Sequence, residues 1–153
     1  MTPLAPAQKN VLRVRGAIAA LILLIAAGGA DFALSVKTEL PFGLLTGAAF
    51  LLGLILIFYV PPRRYASWGY EEAEDELHVW NGIFLRTHTI VPFGRVQHID
   101  LSHGPIERRY GVAAITLHTA GTRASAVVLP GLATEDAERM RDGIRAKIRQ
   151  DLV

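Results

Sequence analysis

The chain has 153 residues, room for one ordinary domain or for a smaller domain with an appendage. A hydrophobic share of 51% and a mean hydropathy of +0.31 lean towards the membrane class. The lack of cysteine excludes disulfide and thiolate chemistry, and a net charge of only +2 is a poor match to nucleic acid.

In chain order, residues 1–13 are expected to be a cytoplasmic N-terminal segment ahead of the first apolar run. Residues 14–34, VRGAIAALILLIAAGGADFAL, and residues 41–60, PFGLLTGAAFLLGLILIFYV, each approach the roughly 20 apolar residues that cross a bilayer core as helix. Only SVKTEL, residues 35–40, separates them, so the two spans are expected to form an antiparallel hairpin with an external loop. Lys9, Arg13 and Arg15 stand at one end of the hairpin and Arg63 and Arg64 at the other end of the chain path, whereas the loop holds Lys37 offset by Glu39. The positive-inside rule then puts both termini in the cytoplasm, with Tyr59 and Tyr65 near the inner headgroup level. The first run also has the form of a signal sequence, but its length and the second span directly behind it favour an uncleaved helix. The pairs Gly43/Gly47 and Ala49/Gly53 have the spacing that lets helices approach closely, and packing within the hairpin is preferred to a dimer motif. Asp31 is expected to be an end residue near the outer interface, because nothing else polar is expected nearby in the spans to make a proton or ion path.

From Pro61 onward the basic and acidic residues cancel and the pattern turns to strands. YASWGYEE (65–72) and ELHVW (76–80) are followed by Asn81-Gly82, a type I′ hairpin signal because both turn positions need positive φ. IFLRTHTIV (83–91), RVQHIDLS (95–102), AAITLHT (113–119) and RASAVVL (123–129) continue the series, with breaks at Gly104-Pro105 and Ala120-Gly121 and a stop at Pro130-Gly131. After Thr134, with Glu135 and Asp136 in its first turn, Ala137, Met140, Ile144 and Ile148 recur at helical spacing, which predicts an amphipathic helix lying on the sheets. Arg145, Lys147 and Arg149 alternate with Glu138, Asp142 and Asp151 on its solvated face. Six or seven strands and one last helix give an α+β domain, residues 61–153: antiparallel sheets or a partly open barrel capped by the C-terminal helix.

That arrangement is pleckstrin-homology-like (PH-like). The chain resembles the bacterial PH-like family known as domain of unknown function 304, found in YdbS-like membrane proteins. The residues that mark the fold are Leu77 with Trp80, Asn81 and Gly82; Val91-Pro92; Arg95 to Asp100, including Gln97; Gly104-Pro105; Arg108; Tyr110 to Ala113, including Gly111; His118 to Gly121; and Pro130 to Leu132. Two preceding spans also fit that family. The resemblance implies a PH-like domain behind a membrane anchor, and assembly with a larger membrane protein of the family or with itself.

The stretch PFGRVQHIDLSHGPIERRYG (92–111) is the densest in polar side chains. His98 and Asp100 share a strand face, but His103, an odd number of residues on, points away, and no HxxxH or HExxH pair exists to hold a metal. Ser102 beside His103 is not a triad, and neither a GxSxG elbow nor a glycine-rich phosphate loop occurs. No enzymatic role, cofactor, metal or small-molecule substrate is therefore expected. Arg95, Arg108 and Arg109, with Arg86, could gather at one sheet edge, where guanidinium groups suit phosphate. Asp100 and Glu107 are interleaved with them, and buried structural ion pairs, Arg95 above all, are preferred to lipid binding. The function expected is a non-enzymatic interaction or scaffolding protein at the bacterial cytoplasmic (inner) membrane, with a role in envelope stress or antimicrobial-peptide tolerance. Anionic-phospholipid sensing at the inner leaflet is the alternative.

Overall fold

The computed structural model describes residues 1–36, 41, 43–120 and 126–150, the side chains of 149 and 150 excepted. Lys37 and Glu39 of the expected loop, Gly121, Arg123, the Arg149 side chain and Asp151 lie outside the described residues. The chain forms two compact units, Lys9–Arg63 and a second made of Met1–Gln8 with Arg64–Val153.

The first unit is helical. Helix α1 runs Gln8–Ser35; α2 (Leu44–Leu54) continues through a π-helical turn, Ile55–Tyr59, into α3 (Val60–Ala66). Both helices, Gln8–Ser35 and Leu44–Ala66, are long and apolar enough to cross a membrane; the first extends past the expected 14–34 at both ends, and the second begins inside the expected 41–60 and runs past its end. Small residues hold them antiparallel. A Cβ on Gly16 would collide with the Leu56 carbonyl oxygen, and one on Gly53 would lie 3.1 Å from the Ala20 methyl. Of the two expected small-residue pairs, Ala49/Gly53 is buried, whereas a Cβ on Gly43 or Gly47 would meet nothing within 4 Å. Asp31 is also more than an end residue. Its carboxylate accepts from Leu45 N (3.2 Å), Thr46 N (2.8 Å) and Thr46 Oγ1 (2.7 Å), so α1 caps the N-terminus of α2.

The second unit holds two three-stranded antiparallel sheets, β1-β2-β3 and β4-β5-β6. The strands are β1 Gly69–Glu72, β2 Glu76–Asn81, β3 Thr87–Pro92, β4 Val96–Ser102, β5 Val112–Thr119 and β6 Ala126–Ala133; a short helix α4 (Pro105–Arg109) separates β4 from β5. Period-two alternation sends Leu77, Val79, Val91, Ile115, Leu117 and Leu129 into one core. Helix α5 (Thr134–Gln150) covers it, with Ala137, Met140 and Ile144 buried and Ile148 half-buried, as its spacing predicts.

Four local expectations are corrected. Tyr65 and Ala66 are helical and not strand, and Tyr65 packs against the core, its hydroxyl donating to Leu4 O at 2.7 Å. Asn81-Gly82 does not make a two-residue turn. Asn81 still pairs with Thr87, Gly82 has positive φ (+115°), and residues 82–86 form the tip, so 83–86 are loop and not strand. Gly104-Pro105 opens α4 instead of a plain turn: Pro105 presets the first helical φ, and the Glu107 side chain folds back over Gly104. Pro130-Gly131 does not stop β6. It is a bulge opposite Ala114, with Gly131 at φ +70°, and pairing resumes at Leu132↔Ala113.

Residues 1–8 were expected in a separate segment of 1–13, but they pack in the PH-like unit. Thr2 and Tyr70 exchange backbone hydrogen bonds (2.6 and 3.0 Å), Ala5 N donates to Gly131 O (2.8 Å), and Leu4 is 2% exposed in the core. The bulge makes room for this strap, because a Cβ on Gly131 would strike the Gln8 side chain.

Candidate functional site

Strand β4 is the natural starting point, because among the described residues its only sheet partner is β5 and its other edge is unpaired. In an antiparallel strand alternate residues turn N–H and C=O towards each side, so such an edge offers aligned donors and acceptors. Register breaks between Val96 and His98, leaving Gln97 without a partner on β5 and exposed. Beside this edge lies an open recess of about 250 Å³ lined by Val96, Gln97, His98 and Ile99 of β4 and by Arg145 and Ile148 of α5. Unpaired backbone, a half-buried apolar floor from Ile99 and Ile148, and one exposed guanidinium suit an extended peptide better than a compact ligand. The sequence marked Gln97 but gave no reason to join it to Arg145 and Ile148, 48 or more positions away, because only the fold brings them together.

The expected arginine edge does not form. All four arginines are exposed, Arg95 included, so it is no buried ion pair. Arg95 closes the 3-10 turn Phe93–Arg95 ahead of β4, and Arg108 and Arg109 lie on α4 behind it. Seven strand residues at about 3.3 Å each separate those positions. Arg86 sits on the β2–β3 tip, at the opposite end of β3 from Arg95. Only Arg108 and Arg109 are neighbours.

The histidines fall into two surface clusters. On the first sheet, His78, Trp80 and His88 stack, with Trp80 and His88 centroids 4.6 Å apart and nearly parallel; His78 Nδ1 lies 2.9 Å from His88 Nε2, and its Nε2 lies 2.7 Å from Glu76 Oε1. On the second, Asp100 takes His98 Nε2 at 2.8 Å and His118 Nε2 at 3.0 Å, a cross-strand pairing that follows from His98↔His118 register. His103 stands apart, its Nδ1 3.4 Å from Val112 O, and Ser102 Oγ donates to Ala114 O at 3.5 Å, so serine and histidine do not meet. Among the described residues no three His, Asp or Glu side chains are placed to hold a metal ion.

The fold-marking residues have separate physical roles. Trp80 stacks on the outer face, Gly82 allows the tip, Pro92 ends β3, Gln97 makes the β4 bulge, Gly104 and Pro105 start α4, and Gly111 follows it with φ +64° and accepts from Thr134 N at 3.1 Å. Tyr70, packed against the core, has its phenol pushed up by burial and by the Asp136 and Glu72 carboxylates, with Arg139 opposing.

Comparison with known proteins agrees with this architecture. The bacterial PH domain family matches residues 11–148. The UPF0699 transmembrane protein YdbS of Bacillus subtilis (strain 168) is 42% identical over 99 residues, 64% of this chain and 60% of that protein. The UPF0699 transmembrane protein YdbT of the same strain is 25% identical over 105 residues, 67% of this chain and 21% of that protein. The chain thus spans less than two thirds of either relative's length. No solved structure matches. With the family match running from within the first apolar helix into the last turn of α5, this membrane protein belongs to the bacterial PH domain family.

Proposed function

We infer that the protein is a non-enzymatic, bilayer-anchored interaction module that takes an extended segment of a membrane protein of its own family, or of a second copy, along the β4 edge beside α5. The observation that carries this reading is the unpaired β4 edge with the Arg145 and Ile148 recess next to it. A relative much longer than the match, in the same organism as a shorter one, supports a partner from the family. The same reading puts the chain in the cytoplasmic membrane with both termini inside. The packing of Leu4 and Ala5 in one unit with residues 64–153 supports termini on the same side of the membrane. That packing also favours an uncleaved first span, since cleavage after it would remove Leu4 from the core. Tolerance of envelope stress or antimicrobial peptides is the process in which we place the assembly.

The test is the mass of the particle extracted in mild detergent, alone and co-expressed with a longer family member. A homo-oligomer or a stable complex is expected, and Arg145→Glu with Ile148→Ser is expected to weaken it at least tenfold while leaving helix content unchanged. A monomer under both conditions contradicts the reading.

A further inference from the structure

The β2–β3 tip carries Phe84 and Leu85, at 96% and 85% the most exposed large apolar side chains among the described residues, and beside them Ile83 at 42%. Three consecutive apolar residues projecting into water from a hairpin are unfavourable unless something covers them, since burying a Leu or Phe side chain is worth about 1.5–3 kcal/mol. The backbone holds them outward. Gly82 turns at φ +115° and packs against the Leu85 carbonyl so closely that any Cβ would collide with it.

Position in the sheet names the occupant. Gly69 pairs with Trp80 and Trp80 with His88, so the tip projects from the sheet end at which the chain enters β1. Only Ser67 and Trp68 separate that entry from the helix Leu44–Ala66, one of the two that are apolar enough to cross a membrane. Charge agrees. No Asp or Glu occurs between Glu76 and Asp100, and Arg86 follows the apolar trio directly. Glu72, Glu74, Asp75 and Glu76 lie at the other end of the same sheet, around the β1–β2 connection. Behind the tip comes the stacked Trp80–His88 pair, the amphipathic layer found at headgroup depth. Apolar residues foremost, a cation and aromatic rings next, and carboxylates farthest away form the profile of a loop that dips into an anionic bilayer.

We propose that Ile83, Phe84 and Leu85 insert into the membrane interface, with Arg86 at the anionic headgroups, as a second attachment point that fixes the orientation of the PH-like unit at the bilayer. This is independent of whether the β4 edge binds a partner. Because the chain has no cysteine, a single probe can be placed at will. Full-length Phe84→Cys and, separately, Leu85→Cys would be nitroxide-labelled and reconstituted in phosphatidylcholine–phosphatidylglycerol nanodiscs, with Glu74→Cys as the control. Collision rates with oxygen and with a water-soluble nickel chelate are then read by paramagnetic resonance. The expected result at both tip sites is a several-fold lower nickel rate and a higher oxygen rate than at Glu74. A nickel rate equal to the control overturns the proposal. So does exclusion of both reagents, which would assign the tip to a protein contact.

Discussion

Asp31 shows how one side chain organises an element that it does not belong to. Three donors at the start of α2 converge on its carboxylate, and loss of a helix cap costs about 1–2 kcal/mol. Asp31→Ala is expected to lower the detergent-solubilised melting temperature by several degrees, and Asp31→Asn, which keeps one acceptor, by less. Tyr70 gives a pH dependence. Its folded phenol ionises above the usual value of about 10, so the neutral form stabilises the fold, fully so below that pH and progressively less as the pH rises through the folded value. Melting curves between pH 8 and 11 are expected to fall on the alkaline side, and Tyr70→Phe to flatten that fall. Residues that punctuate the chain were legible in the sequence because their chemistry is local: Gly82, Gly104, Pro105 and Gly111 all lie at element ends. Asp31 was not, since its partners come from 14 and 15 residues away across the hairpin.

Element by element, periodicity served well wherever one face is buried. The α5 stripe of Ala137, Met140 and Ile144 and the β2 pair of Leu77 and Val79 all reach the core. It failed where a turn signal and a strand pattern overlap. IFLR looks strand-like by composition, but the tip geometry around Gly82 delays pairing to Thr87. Pro130-Gly131 looked like a stop, but a bulge keeps the strand going. Gly143 is a place where sequence and structure together suggest an improvement. A Cβ there would make an ordinary 3.8 Å contact with Glu72, and Gly in a helix interior costs up to about 1 kcal/mol relative to Ala. Gly143→Ala is expected to stabilise the protein by about 0.5–1 kcal/mol in thermal or denaturant unfolding. Gly16→Leu has the opposite sign in the other unit, because the Leu56 backbone occupies the space; the expected readout is loss of helical protection in detergent.

At the scale of the whole molecule, the N-terminal strap joins the first residues of the chain to the domain that follows the second helix. Neither hydropathy nor charge foreshadowed this, because MTPLAPAQ has no period to read and Leu4 finds its partners more than sixty positions on. Leu4→Ala is expected to destabilise the PH-like unit by about 2–4 kcal/mol, measured as a downward shift in its melting transition. The candidate site was not legible in the sequence, which pointed to an arginine-lined edge instead. Its actual walls, β4 and α5, meet through tertiary packing, and the arginines that drew attention in the sequence are spread over opposite strand ends. The proposed role of the β4 edge, holding another chain, is open to direct measurement. A photo-crosslinking amino acid at Gln97, in the full-length protein in intact membranes, tests it most directly. An adduct with a family member or a second copy is expected, lost when Arg145→Glu and Ile148→Ser are present. Crosslinking to lipid alone, or an adduct indifferent to those substitutions, would contradict it.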